Sequence, residues 1–262
     1  MEKRDSENSS SKVNSDSFSG DESLKKEEEE KYKIERNLKE QANYNYDMSI
    51  KLIVLGDSYV GKSSVIKRIC LEKFDFDIQP TISIDVQNYF IKINEKIIKI
   101  QIWDTAGQEA YRSIAKYYYK NTDICLLIYS VDDIKSLDSI KSWYNEVLEN
   151  NEKTNKNEMI SILLGNKKDV DDTQRNVTFE KGEEFAKENN FFLFKEISCK
   201  SESKEEIENI NEILNKIGKY FYEKYKRTRS AIESESLTSL EDRDFRNSNI
   251  NGKNQRKKKN CC

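Results

Sequence analysis

The run "GDSYVGKSS" sets Gly56, Asp57, Ser58, Tyr59, Val60, Gly61, Lys62, Ser63 and Ser64 directly after an apolar stretch, "SIKLIVL". A G-x-x-x-x-G-K-[ST] spacing between a strand and a helix suits the binding of phosphate. The two glycines let the backbone curl so that successive N–H groups face phosphate oxygens, and the helix that follows adds its positive end. Lys62 supplies a point charge for the β- and γ-phosphates. The hydroxyl of Ser63 is placed for a magnesium ion.

A phosphate loop leaves the base open. "GNKKD" at 165–169 closes an apolar run about a hundred residues later. Ligands bind at the carboxyl ends of strands in sheets of this kind. A carboxylate at Asp169 can accept from the N1–H and the exocyclic amine of guanine. Adenine offers neither donor on that edge, and an unpaired buried carboxylate costs a few kcal/mol. Asn166 is expected to tether loop and base, with the stem of Lys167 over the ring. An ATPase or nucleotide kinase is the rival reading, and Asp169 speaks against it.

Between these motifs lies "WDTAGQE", 103–109. Asp104 at a strand end suits an outer-shell role at the cation, or a cap for the turn that follows it. The Gly107 N–H is expected to meet the γ-phosphate, and Gln108 to orient the attacking water.

Much else is excluded. The chain has 262 residues and no histidine, which removes Ser-His and Cys-His nucleophiles and every His-ligated metal site. Cys70, Cys125 and Cys199 stand apart with no C-x-x-C pair and read as small apolar residues. A net charge of -3 argues against a whole-protein nucleic-acid footprint, so no nucleic-acid partner is expected. Apolar runs such as "ICLLIY" are too short to span a bilayer, and an intracellular protein is expected.

Positioning these residues requires a sheet. "SIKLIVLG", "ICLLIYS", "MISILLGN" and "FFLFKEIS" are continuous apolar strands, covered on both faces and separated by helix-length segments. "VQNYFIKI" and "IIKIQIW" read as a hairpin across Asn94-Glu95-Lys96. Leu137, Ile140, Trp143, Tyr144, Val147 and Leu148 mark one helical stripe. Ile207, Ile210, Ile213, Leu214, Ile217, Tyr220 and Phe221 mark another, opened by Ser203 and Glu206 at capping-box spacing. The fold expected is an α/β, doubly wound, mostly parallel six-stranded sheet with one antiparallel edge strand and helices on both faces. Residues 1–48 and 226–262 are rich in Ser, Glu, Lys and Asn and read as a disordered charged arm and a disordered tail around a domain at 49–225.

The order of "GDSYVGKSS", "WDTAGQE", "GNKKD" and "ISCKS" (197–201) resembles small Ras-like GTPases over about 49–225. "PTISID", "KIQIW", "AYRSI" and "KYYYKN" are similar to the Rab branch. The resemblance implies a P-loop NTPase that binds GTP and GDP with Mg²⁺, hydrolyses GTP and acts as a switch in vesicle and membrane traffic. It implies catalytic roles for Gln108, Lys62 and Thr81, the last also joining Ser63 and Asp104 at the metal. Phe74 matches the aromatic that packs on guanine, and Ser198, Cys199 and Lys200 match the loop that backs it. The expected partners are an exchange factor, an activating protein, a GDP-dissociation inhibitor and effectors on the switch loops, around a monomeric G domain. Ser83, Ala110, Cys199 and Tyr59 depart from the family pattern, which leaves effector choice open. A hydrolysis-deficient Rab-like scaffold is the alternative.

The terminal "RKKKNCC" follows from the same resemblance. Cys261 and Cys262 match a double-cysteine terminus modified by Rab escort protein and geranylgeranyl transferase, which would hold the protein on the cytoplasmic face of an intracellular membrane in exchange with cytosol. Two chains hold firmly, at about 0.8 kcal/mol per buried methylene, and each nearby lysine or arginine adds about 1 kcal/mol on anionic leaflets.

Overall fold

The computed structural model describes residues 32–36, 45–76, 85–104, 118–152 and 159–256, with side chains to 232. Thr81, Ser83, Gly107, Gln108, Ala110, Cys261, Cys262 and most of the arm lie outside the described residues. The elements below belong to the compact unit Ile34–Cys262.

The strands are β1 (Ile34–Arg36), β2 (Met48–Leu55), β3 (Asp85–Ile93), β4 (Lys96–Asp104), β5 (Ile124–Ser130), β6 (Ile160–Asn166) and β7 (Leu193–Glu196). The helices are α1 (Lys62–Leu71), α2 (Ile134–Asp138), α3 (Ile140–Asn150), α4 (Phe179–Glu188) and α5 (Lys204–Arg256). The sheet runs β1-β3-β4-β2-β5-β6-β7. β4, β2, β5, β6 and β7 are parallel, and β3 is antiparallel to β4. The turn between β3 and β4 is Asn94-Glu95, with Asn94 at φ 53, the left-handed backbone that asparagine tolerates.

Two expectations need correction. The sheet has seven strands rather than six, because Ile34–Arg36, inside the arm read as disordered, pairs antiparallel with Ile91–Ile93. Three residues carry too little hydrophobic period to signal a strand. What holds them is tertiary: Arg36 donates to Asn215 Oδ1 at 2.9 Å, and Lys92 pairs with Glu35 at 3.5 Å. The second correction is α5, which runs for 53 residues to Arg256, about 80 Å at 1.5 Å per residue. The stretch 226–256 is therefore helical rather than coil. Low apolar content speaks against packing, yet a helix satisfies its own backbone, and this stretch contains no proline to interrupt it.

Every residue of β5 and β6 is buried, as continuous apolar runs require when helices cover both faces. On one face Ile53, Leu55, Leu127 and Leu163 pack with Leu137, Ile140, Trp143 and Val147. The single expected helix there breaks at Ser139 into α2 and α3 without losing its stripe. On the other face Leu52, Ile100, Leu126 and Leu164 meet Val65 and Ile69 of α1 and Ile210, Ile213 and Ile217 of α5. A Cβ on Gly218 would lie 2.8 Å from Ile93 Cδ1, so α5 crosses the sheet in close contact. Its start is capped by Ser203 Oγ, which accepts from the Glu206 N–H at 3.3 Å. Among the described residues no helix is long and apolar enough to cross a membrane.

Phe221 fills the end of this layer at 1% exposure, ring to ring with Tyr220. Phe221→Ala is expected to cost about 3–5 kcal/mol, read by urea unfolding at saturating nucleotide so that ligand linkage is constant.

Candidate functional site

The carboxyl ends of β2, β4 and β6 deliver the three motifs to one edge of the sheet. β2 ends at Leu55, and the chain turns through residues 56–61 into α1. Gly56 sits at φ 146, where a Cβ would lie 2.1 Å from the Ile128 carbonyl oxygen. Gly61 sits at φ 97, where a Cβ would meet Asn166 Nδ2 at 2.3 Å. Both positions demand glycine on backbone and on space. Asp57 and Gly61 are half-buried, Val60 is buried, and Ser58 and Tyr59 face solvent. Gly61 at the N-cap of α1 has no side chain to cap the helix, so among the described residues its first-turn amides are left for the space before it, as an anion site requires.

Lys62 is curled into this loop. Its Nζ donates to the Gly56 carbonyl at 2.8 Å and the Asp57 carbonyl at 2.7 Å, and the residue is 6% exposed. Burial pushes its pKa down to about 8, against the raising effects of Asp104 and Asp57. Asp104, at the end of β4, is 5% exposed, and burial raises its pKa, offset by a hydrogen bond from Ser63 and by Lys62. Its Oδ1 is buried without a hydrogen-bond partner among the described residues. A buried carboxylate oxygen beside the Ser63 hydroxyl and an ammonium fits a hard divalent cation.

The base end is built by β6 and by the loop after β7. Asn166 is 3% exposed, and its amide bridges the two ends of the cleft. Nδ2 donates to the Val60 carbonyl at 2.8 Å, and Oδ1 accepts from the Cys199 N–H at 3.4 Å. Lys167 adopts φ 66 and reaches Asp132 at 3.2 Å. The Ser198 hydroxyl donates to Asp169 Oδ1 at 2.5 Å, and Asp169 itself is exposed. Selectivity for guanine requires that carboxylate to be desolvated, which the edge of a bound base would do. Cys199 is 2% exposed with its thiol pushed up to about 12 by burial, so it acts through its backbone. Lys200 is exposed. Phe74 is half-buried, edge-on to Phe76 at 5.0 Å.

Three positioning contacts escaped the motif reading. Trp143, read only as part of a helical stripe, donates its indole N–H to Asp57 Oδ1 at 2.8 Å and anchors the phosphate loop to α3. Its signal was available, since a buried tryptophan N–H needs an acceptor. Glu206, expected to close a capping box, instead accepts from the Ser198 N–H at 3.0 Å and from Lys168 at 3.1 Å. Arg68 holds the carbonyls of Cys199 and Ser201 at 3.1 and 2.5 Å.

Against known proteins, the profile described as "Ras family" matches residues 51–222. The chain belongs to the Ras family. Ras-related protein SEC4 of Saccharomyces cerevisiae is 36% identical over 219 residues, 83% of this chain and 93% of that protein. GTP-binding protein ypt2 of Schizosaccharomyces pombe is 42% identical over 144 residues, 55% of this chain and 70% of that protein. Ras-related protein Rab-9B of Mus musculus is 35% identical over 154 residues, 59% and 76% of the two chains. These relatives are Rab and Ypt GTPases, and membership of the Ras family implies a bound guanine nucleotide and GTP hydrolysis.

One residue of the phosphate loop that departs from the family pattern is strained. Tyr59 takes φ 67 inside the phosphate loop with 83% of its surface exposed, a conformation that costs a non-glycine residue about 1–2 kcal/mol.

The depressed Lys62 pKa makes nucleotide binding pH-dependent. With a folded value of about 8, the free protein loses the ammonium as pH rises through that value, while a bound polyphosphate restores it. Calorimetry in buffers of different ionisation enthalpy is expected to show proton uptake on binding at pH 8–9, with affinity falling as pH rises further. Binding at pH 8.5 with no proton taken up would contradict the assignment.

Proposed function

We infer that this chain is a GTP-binding and GTP-hydrolysing switch of membrane traffic. The observation that carries the reading is the bridge through Asn166, which joins a phosphate loop to a base-reading loop in one cleft. Lys62 and the first-turn amides of α1 grip the phosphates. Asp169, oriented by Ser198, accepts from the guanine edge, and once the ring covers it an adenine would leave it unpaired. Phe74 and the stem of Lys167 flank the ring.

Ser63, Thr81 and Asp104 would hold Mg²⁺, which when bound neutralises charge on the phosphate oxygens. Asp104, through its contact with Ser63, keeps that hydroxyl oriented. Thr81 and Gly107 contact the γ-phosphate and so order the two switch segments, while Gln108 orients a water for in-line attack. None of these side chains is a strong base, so the protein contributes position and charge. Turnover alone is slow, on the order of 10⁻⁴–10⁻² s⁻¹, and an activating protein that supplies an arginine accelerates it. Loss of the γ-phosphate releases the switches, and effectors read the difference. Exchange factor, activating protein and GDP-dissociation inhibitor follow as partners. Two geranylgeranyl groups on Cys261 and Cys262 hold the GTP form on the cytoplasmic face of an intracellular membrane.

A second reading, a hydrolysis-deficient scaffold, is favoured by one observation, the strained and exposed Tyr59 beside the phosphates.

Nucleotide released from natively purified protein is expected to be GDP or GTP, and an adenine nucleotide would overturn the switch reading. In single-turnover assays Gln108→Leu is expected to retain nucleotide and to lose at least tenfold in hydrolysis; equal rates for the two proteins would favour the scaffold. Cell fractionation is expected to move a Cys261→Ser, Cys262→Ser variant from membranes to cytosol, while a variant that stays membrane-bound would remove the lipid anchor from the scheme.

A further inference from the structure

Arg68 lies in the second turn of α1, 5% exposed, among Val65, Ile66 and Ile69 of the buried face. Its guanidinium donates to three backbone carbonyls: Nε to Cys199 at 3.1 Å, one terminal nitrogen to Ser201 at 2.5 Å and the other to Glu72 at 3.1 Å. Withdrawing a guanidinium from water is costly, and carbonyl dipoles repay less of that cost than a carboxylate would. An aliphatic residue would suit the same face of the helix. The charge is therefore explained by what it holds.

What it holds is the loop that backs the base. In a trans peptide the carbonyl and the N–H point in opposite directions. A hydrogen bond on the Cys199 oxygen thus fixes the direction of the Lys200 N–H, and one on the Ser201 oxygen fixes that of Glu202. Elsewhere in the same loop, the Cys199 N–H reaches Asn166 and the Ser198 hydroxyl reaches Asp169. The loop is gripped by the base-reading residues on one side and by Arg68 on the other. Arg68 also belongs to the helix that begins with Lys62 and Ser63, so phosphate grip and base grip share one rigid element.

We propose that Arg68 is a positioning residue for purine discrimination, setting residues 198–201 against Asp169 from the phosphate-binding helix. The proposal rests on the guanine reading above. It is tested on the full chain by measuring release of GDP and of inosine diphosphate, which lacks the exocyclic amine that Asp169 would accept from. The parent protein is expected to hold GDP longer than inosine diphosphate. Arg68→Met is expected to speed GDP release about tenfold and to narrow the preference between the two, while the acceleration caused by magnesium chelation stays as in the parent. Arg68→Lys, able to reach one carbonyl, is expected to recover part of the preference. Unchanged GDP release in Arg68→Met, or equal acceleration of both nucleotides, overturns the proposal, because a merely structural arginine would weaken both alike. Should Arg68→Met not fold, Arg68→Lys decides alone: a shifted ratio supports the role and an unchanged one removes it. A parent protein indifferent to the base would overturn the guanine reading instead, and that result appears before any substitution is made.

Discussion

The carboxamide of Asn166 is the contact on which the cleft depends. It is buried, it donates to the carbonyl of Val60, and it accepts from the backbone of Cys199. One planar group thus fixes the distance between the phosphate loop and the base loop. An aspartate at this position would lose the donor and face the Val60 carbonyl with a charge, and an alanine would leave both backbone groups unpaired in a buried place. The missing Cβ of Gly61 belongs to the same arrangement, since any side chain there would occupy the position of the amide. Loop, strand end and glycine are one solution to a single spatial problem.

The charged groups around that bridge are buried. Among the described residues Lys62 is buried and hydrogen-bonded to two carbonyls, and Asp104 is buried with one oxygen lacking a partner. Each is disfavoured by burial and only partly compensated by the other. On the reading proposed above, a polyphosphate would meet an ammonium already fixed in place by two backbone carbonyls.

Much of this was legible in the residues. The mostly parallel sheet, the two-faced burial of β5 and β6 and the positions of the motifs at strand ends all follow from continuous apolar runs set between helical stripes. What escaped depends on contacts between distant positions. Nothing near Ile34 in the chain announces that it will pair with Ile93. Arg68 and Trp143 lie on buried helix faces that packing alone would explain, and their polar ends bond partners 131 and 86 residues away. Glu206 does stand at a helix start, yet the backbone N–H of Ser198 claims its carboxylate, while that of Ser203 goes to the Ser201 hydroxyl. Local rules named the elements, and long-range hydrogen bonding chose what their side chains do. The tail misled for another reason, since scarcity of apolar residues speaks to packing and says little about whether a backbone coils upon itself.

The small strand β1 has a consequence for the sheet it joins. The outermost long strand, β3, would otherwise present ladder groups at Ile91–Ile93 to any extended peptide, the usual liability of a sheet margin. Here the chain supplies its own occupant and fastens it through Arg36 to Asn215 on α5. An incoming strand at that stretch must first evict a tethered rival whose effective concentration no free peptide easily matches. Access to this flank is thus governed by how firmly a three-residue seam stays shut.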